Sequence, residues 1–487
     1  MINKIIIHDN KTCQILLEDQ QLLNLLRSTF SYKESGVEYS PAYKNGWSGI
    51  TYLISKKGMF FSGLLDQVSS FLKDRKIYFE LEDLRTPITV NNPIDLSEKL
   101  IKLGLVPRDY QTKTVDACFN NRKGIVRSCT SSGKTVTMAL LTAKLNKPTI
   151  IYVIGLDLLK QTHDLFTELF DEKIGYLGDG VCDIQRINIA TIWTIGSALK
   201  IKKQDIVSED NGTEKFTESQ SSKILALLKD TKVHIFDESQ QIVCSTIAHI
   251  FKTIDPERIY GFSGTPYRDD NTDLLINAML GEQIIEVSAS ELIASKTIAQ
   301  PIIKFVSVPK MTLPAASSYH EVYKTYITEN SVRNTMVINE VKKLLDKKYT
   351  PLILFKQIKH GKILFEMMKN EGIKCEMLSG NDSLARRTEV KKMLEAKEIN
   401  AVIASVVFDV GINLPILSAL VLSGSGKSTN RALQRVGRTL RKYPGKTSVA
   451  IVDFYDQVRY LKKHSMIRYD IYSSETGFKV IKCKEMK

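Results

Sequence analysis

Short, mostly apolar runs alternate with amphipathic stretches along most of this chain. GIVRSC (124–129), TIIYVIG (149–155), INIAT (187–191), VHIFD (233–237) and IYGFSG (259–264) are the first series. PLILFK (351–356), KCEMLSG (374–380), NAVIAS (400–405), ALVLSG (419–424) and SVAIVD (448–453) are the second. Strands apolar on both faces belong in a sheet covered by helices on both sides. Their alternation with helical segments predicts parallel α/β architecture, repeated in tandem. The first hundred residues read differently. A short strand precedes the amphipathic stretch QQLLNLLRSTF (20–30), and an aromatic hairpin is expected from Val37 and Tyr39, across a turn at Asn45-Gly46, to Ile50–Ile54. A helix over 63–73 and a strand over 76–81 complete a small α+β unit. The polar, proline-containing stretch RTPITVNNPIDLS (85–97) reads as a linker. The expected fold is therefore α/β: a small α+β domain at 1–100, then two parallel-sheet domains at 101–297 and 298–487. The last residues form either a basic tail or a final helix and strand. The polar stretch 201–223 interrupts the first repeat and is either a flexible insertion or a projecting β-hairpin.

Composition narrows the class. Hydrophobic residues make up 43% and charged residues 25% of the 487, the balance of a globular chain rather than a disordered or fibrous one. No apolar run is long enough to span a bilayer, and the N-terminus lacks a cleavable leader pattern, so a cytoplasmic protein without a membrane partner is expected. The seven cysteines include no CxxC pair, which argues against a zinc site or a disulfide framework. Charge is uneven. Residues 300–487 hold 33 basic and 17 acidic side chains, whereas 1–104 hold 13 and 12, so the last third carries most of the net +14. Such a field suits a polyanion partner through counterion release, or a lysine-rich solvated surface.

Three short segments carry chemistry. SCTSSGKT (128–135) stands between the strand GIVRS and the helical TVTMALLTAKL. Backbone N–H groups of such a loop and the following helix N-terminus make an anion site. Ser131, Ser132 and Gly133 would cradle phosphates, Lys134 would neutralise them, and the Thr135 hydroxyl would ligate Mg²⁺. Ser128 stands where the phosphate-loop pattern has its first glycine. HIFDES (234–239) puts two carboxylates at the C-terminal end of a strand, where parallel sheets bind ligands. Asp237 can hold Mg²⁺ and Glu238 can accept a proton from attacking water. The spacing of these two segments suggests adjacent strands. In QRVGRTLR (434–441), Arg435, Arg438 and Arg441 recur at helical spacing beside Gln434. Planar guanidiniums there suit an arginine-finger role against a γ-phosphate better than a merely solvated face. ATP would then bridge the two α/β domains.

With these segments in place, the chain resembles the superfamily 2 helicases, collinearly from about 105 to 441. VPRDYQ (106–111) is similar to the adenine-sensing element, with Arg108 and Gln111. SCTSSGKT resembles motif I, VIGLDLLKQ (153–161) motif Ia, and ATIWT (190–194) the later DNA-contacting element. DESQ (237–240) is similar to the DExH box, with Gln240 in the histidine's place, and FSGTPYR (262–268) to motif III. LFKQIKHG (354–361), ASVVFDVGINLP (404–415) and QRVGRTLR resemble motifs IV, V and VI. FSYKESGVEYSPAYKNGWSGITYLI, LFKQIKHGKILFEMMKN and LSGNDSLARR together resemble the phage UvsW type of branch-migration helicase.

That resemblance implies two RecA-like domains behind a small domain that helps grip duplex DNA, with ATP and Mg²⁺ as cofactors. It adds Asp409 and Gly411 to the nucleotide site. It places a DNA strand against Gln161, Thr191, Lys356, His360, Gly380 and Ser405. Members rewind or branch-migrate forked and four-way DNA in recombination, repair and replication, and a monomer is expected. Tyr43, Lys44 and Trp47 either brace DNA or pack a hairpin core. An RNA helicase and the translocase subunit of a restriction system are the rival readings, and a nucleotide-binding scaffold without turnover is disfavoured by Lys134 and Glu238.

Overall fold

A computed structural model describes residues 3–33, 37, 43, 45–129, 131–200, 217–239, 244–264, 273–312, 317–380, 382–405, 416–424 and 446–486. Two compact units emerge, Met1–Ser128 with Gly133–Glu286, and Cys129–Ser132 with Val287–Lys487.

The first unit opens with β1 (Lys4–Ile7) and β2 (Thr12–Leu16), which pair antiparallel. A separate ribbon joins β3 (Ser31–Lys33) to β4 (Ile50–Tyr52). β5 (Met59–Phe61) lies on β2, and β6 (Glu80–Asp83) runs parallel to β1. Alternate residues Ile5, Ile7, Cys13 and Ile15 face inward, where helices Gln20–Thr29 and Leu65–Asp74 cover them with Leu26, Val68 and Leu72. The expected hairpin is corrected here. Residues 50–52 pair with 31–33, and Tyr39 lies outside the described residues. The strand expected at 76–81 begins later, at Glu80, because the chain first turns through Lys76 at φ 56°.

This small sheet shares a hydrophobic core with the following α/β layer. The Phe61 and Phe251 rings meet edge to face at 5.2 Å. Arg122 donates to the Asn10 side chain at 2.9 Å, and Lys123 Nζ donates to Asn10 O at 2.7 Å and Ser62 Oγ at 2.5 Å. Burial pushes the Lys123 ammonium down to about 7. Gly63 marks a close backbone approach between the two: a Cβ there would lie 2.2 Å from Asn277 O and 2.5 Å from Ala278 O. Gly63→Ala is therefore expected to cost roughly 1–3 kcal/mol, the usual penalty of overpacking. Chemical denaturation of the full chain measures it; an unchanged midpoint would show that this contact does not hold the small sheet in place.

The stretch read as a linker is strapped to the same layer. Ile94 N donates to Ala143 O, and Asn91 and Asn146 exchange side-chain-to-backbone bonds with Asn146 and Asn92. Its backbone groups find partners on the α/β layer, so it is not a free tether.

The first large sheet comprises β7 (Lys123–Ser128), β8 (Thr149–Val153), β9 (Ile174–Gly178), β10 (Val181–Asp183), β11 (Ile187–Thr191), β12 (Val233–Asp237), β13 (Arg258–Ser263) and β14 (Gln283–Val287). Among the described residues its order is β10-β9-β11-β8-β12-β13-β7-β14. The ladders from β9 through β7 are parallel, as the double-sided apolar runs predict. One expectation is corrected: β7 and β12 are not adjacent, since β13 lies between them and pairs with both. Both still end at the same edge of the sheet. Inside it, His234 lies between Tyr152 Oη at 2.8 Å and Thr231 O at 3.2 Å, and burial pushes its imidazole down to about 3. Of the polar stretch 201–223, residues 201–216 lie outside the described residues. The remainder is not an irregular insertion, because Thr217 and Gln220 form a capping box that starts helix Glu218–Asp230.

The second unit is built on β15 (Gln300–Val308), β16 (Pro351–Phe355), β17 (Cys375–Leu378), β18 (Ala401–Ser405), β19 (Ala419–Leu422), β20 (Ser448–Asp456) and β21 (Lys479–Ile481). Among the described residues the order is β17-β18-β16-β19-β20-β15-β21, with every ladder parallel. The chain end is thus a helix, Leu461–Ser474, and an edge strand. Two buried ion pairs anchor β20: Arg468 holds Asp453 at 2.8 Å, and Arg333 holds Asp456 at 2.8 Å while donating to Ser423 O. Losing one partner of such a pair would strand a buried charge, so these contacts fix geometry more than they add stability. No helix among the described residues is long and apolar enough to cross a membrane.

Candidate functional site

The chemistry-bearing segments of the first unit converge at one sheet edge. β7 ends at Ser128, and five residues separate it from the helix Lys134–Leu145. Ser131 and Gly133 have positive φ of 71° and 83°, which turns the loop sharply and opens the helix at Lys134. Ser132 is buried and Thr135 is half-buried in the helix's first turn. The first-turn N–H groups have no carbonyl partner in their own helix, which favours an anion there.

From β12 come the two carboxylates. Asp237 is its last residue and is buried; Glu238 follows at φ 50°, a left-handed backbone that aims its side chain back toward the loop. Lys134 Nζ reaches Glu238 Oε1 at 2.8 Å across 104 residues of sequence. The Asp237 carboxyl is pushed up to about 7, first by burial and then by the Glu238 charge, with Lys134 opposing. One lysine thus faces two carboxylates. Two carboxyl groups stand at a desolvated edge beside a phosphate-type loop, and an oxygen-liganding divalent cation fits such donors. Asp237, and Thr135 in the first turn of the loop's helix, are the residues that could hold it.

Gln111 ties a third segment to this edge. Its Oε1 accepts from Arg108 N at 3.0 Å, and its Nε2 donates to Gly133 O at 3.3 Å. A Cβ on Gly133 would sit 2.8 Å from that amide, which the flexible Gln111 side chain can relieve; it is the φ of 83° that favours glycine. Arg108 itself is exposed and donates to Tyr110 Oη at 2.8 Å. Gln434, Arg438, Arg441, Asp409 and Gly411 lie outside the described residues, as do Lys44 and Gln240.

The expected DNA contacts divide by burial. Gln161 on helix Leu156–Leu169, Lys356 after β16, and Gly380 after β17 are exposed. Thr191, His360 and Ser405 are buried, so other parts of the protein cover their side chains. Thr191 caps helix Ile192–Ala198 by accepting from Thr194 N at 3.1 Å. His360 Nε2 bonds Asn334 Oδ1 at 2.9 Å, and burial pushes the imidazole down to about 3. Tyr43 and Trp47 are each a little over one-third exposed, and Lys33 lies 5.2 Å over the Tyr43 ring. Sequence reading passed over Arg459 and Tyr460 altogether. They follow β20 outside any motif, and only their backbone and their neighbours distinguish them.

Two family models match this chain. The Type III restriction enzyme res subunit model covers residues 104–268, and the Helicase conserved C-terminal domain model covers 333–443. With the two parallel sheets, these matches support a helicase core of two RecA-like domains. Within that class the chain resembles the UvsW type: it is 26% identical over 512 residues to the ATP-dependent DNA helicase uvsW of Enterobacteria phage T4, covering 97% of each chain. The DNA 3'-5' translocase XPB2 of Sulfurisphaera tokodaii is 23% identical over 410 residues, 76% of this chain and 86% of its own. The solved structure of Dbp5 of S. cerevisiae bound to RNA and ADP BeF3 aligns with 80% of this chain and 93% of its own at a TM-score of 0.53 and 16% identity, a likeness of fold.

Proposed function

We propose that this protein is an ATP-dependent DNA helicase or translocase that unwinds or branch-migrates forks and four-way junctions in phage recombination, repair and replication. The observation that carries the ATP half is the Lys134–Glu238 contact at 2.8 Å beside buried Asp237. Full-length similarity to a phage DNA helicase supports the DNA half. In this reading residues 1–100 form a duplex-gripping accessory domain, 101–297 the ATP-binding domain and 298–487 the second motor domain.

The resting contact suggests how the site is switched on. Lys134 is held by Glu238, the group proposed to accept a proton from water. A triphosphate arriving at the loop competes for the lysine, and as Lys134 moves onto phosphate oxygens, Glu238 is released to orient water and take its proton. Gln111 positions the loop through Gly133 O and, with Arg108, reads the base. Mg²⁺, held by Thr135 and Asp237, neutralises phosphate charge when bound. The resemblance to helicases assigns Gln434, Arg438 and Arg441 to the γ-phosphate, and Asp409 and Gly411 to the nucleotide site. Gln161, Lys356 and Gly380 contact the DNA strand. The protein acts in the cytoplasm of the host cell, as a monomer.

ATPase rates with forked DNA, four-way junction, blunt duplex and single-stranded RNA test this. The expected order is branched DNA first and RNA last. Strong stimulation by RNA with none from any DNA would sink the DNA assignment.

A further inference from the structure

In the second unit an aromatic and cationic cluster occupies the C-terminal edge of the sheet, the edge where parallel sheets bind ligands. Tyr460, four residues past the end of β20 at Asp456, has φ 63° and ψ −52°. Leu461 N donates back to Arg459 O at 2.7 Å, which closes a three-residue turn around Tyr460. This is the rare, strained form of the γ-turn. For a non-glycine residue such strain persists only where the surroundings impose it, and it clusters at functional positions. Tyr460 is nevertheless 37% exposed. The strain therefore does not serve to bury the ring; it presents it.

The neighbours share one chemistry. The Tyr319 ring packs edge to face against Tyr460 at 6.1 Å and lies 5.6 Å from the His464 ring. Lys356 Nζ sits 5.6 Å over Tyr319 and 5.4 Å over Tyr323. The Arg459 guanidinium lies 4.9 Å over the Tyr460 ring. Tyr323 backs the group from below by donating to Gly424 O at 3.2 Å. Lys462 and Lys463 are exposed on the next turn. Aromatic faces interleaved with arginine and lysine are what a single strand needs: π-faces for bases and cations for the phosphates between them. An ordinary apolar core explains Tyr323, which is buried, but not the exposed, strained Tyr460 flanked by Arg459.

We propose that Tyr460, braced by Tyr319 and flanked by Arg459 and Lys356, is a stacking site for an unpaired base of a DNA strand. This inference rests on the DNA-helicase reading and deepens it. A base arriving at the ring replaces Arg459 on its face, and Arg459 and Lys356 then engage the adjoining phosphates. The strand is thereby gripped by its bases as well as its backbone, independent of sequence.

The test uses the full chain and a single-stranded oligonucleotide carrying 2-aminopurine, whose fluorescence falls when it stacks. Wild type should quench the probe. Tyr460→Ala should lose the quench and bind about 10-fold more weakly, in line with one lost base–aromatic stack. Tyr460→Trp should retain both. Tyr460→Gly should also lose the quench, yet melt at a higher temperature than Tyr460→Ala, because glycine adopts this backbone without strain; that separates lost stacking from lost folding. Lys356→Ala should weaken binding while reducing its salt dependence. Full quenching and unchanged affinity in Tyr460→Ala would overturn the stacking site alone. Absence of any DNA binding by the wild-type chain would overturn the DNA reading and this inference together.

Discussion

Lys134→Ala is expected to lower DNA-stimulated ATP hydrolysis by about 10²-fold or more, the scale of losing one preorganised charge at a phosphoryl transition state. The lysine is a cation that faces both Asp237 and Glu238, and it sits at the opening of the phosphate-loop helix. Its removal therefore acts twice. The incoming phosphates lose their neutralising charge, and Glu238 loses the contact that ties it to nucleotide arrival. DNA binding without ATP should persist, since the exposed DNA-contact candidates Lys356 and Gly380 belong to the other unit. Parallel steady-state ATPase and DNA-binding titrations decide it. Near-normal turnover in Lys134→Ala would remove this loop from the chemistry.

Asp237→Asn should separate activity from stability. Hydrolysis is expected to fall by a similar factor, because the residue placed to hold Mg²⁺ loses its charge. The nucleotide-free protein, in contrast, should melt at a higher temperature above neutral pH. In the folded chain this carboxyl is raised from 3.8 to about 7, chiefly by burial. Between those values the folded state keeps a proton that the unfolded state has released. The group therefore lowers stability progressively as pH rises through that window, and the full cost is present above it. Asparagine removes the buried charge and so removes that pH dependence. Thermal melts of wild type and Asp237→Asn should differ modestly at pH 5, inside that window, and by more at pH 8, above it. Equal melting shifts at both would show that Asp237 is not desolvated in the empty site. Opposing protonation from His234 and His360, both pushed down to about 3, destabilises both proteins alike on acidification below about 6.5, so it cancels in the comparison.

Much of the architecture was legible in the chain itself. Runs such as VHIFD, buried at all five positions, can only be central parallel strands, and the loop SSGKT lies between such a strand and a helix. The expected ATP ligands of the first unit, Gln111, Lys134, Asp237 and Glu238, do come to one edge. Short-range signals mark them: each follows a strand or opens a helix, and parallel topology gathers such positions at the same end. The small domain was less legible. Its ribbon strands are three residues long, and residues 50–52 have several candidate partners that periodicity cannot rank. Burial was least legible. Nothing local distinguishes exposed Gln161 from sealed Thr191 or His360, since accessibility depends on what other elements lay over each side chain.

By itself, then, the sequence determined the element types, the tandem α/β plan and the motif residues of the phosphate site, because these follow from hydrophobic period and from residues adjacent in the chain. Only the tertiary structure decided that β13 separates β7 from β12, that the supposed linker is pinned to the first α/β layer, and that Lys134 rests on Glu238. It also decided that Tyr460, unmarked by any motif, is held strained and exposed among Tyr319, Arg459 and Lys356. Each of these joins residues far apart in sequence, or sets a backbone angle that packing imposes, and neither is encoded in a local pattern.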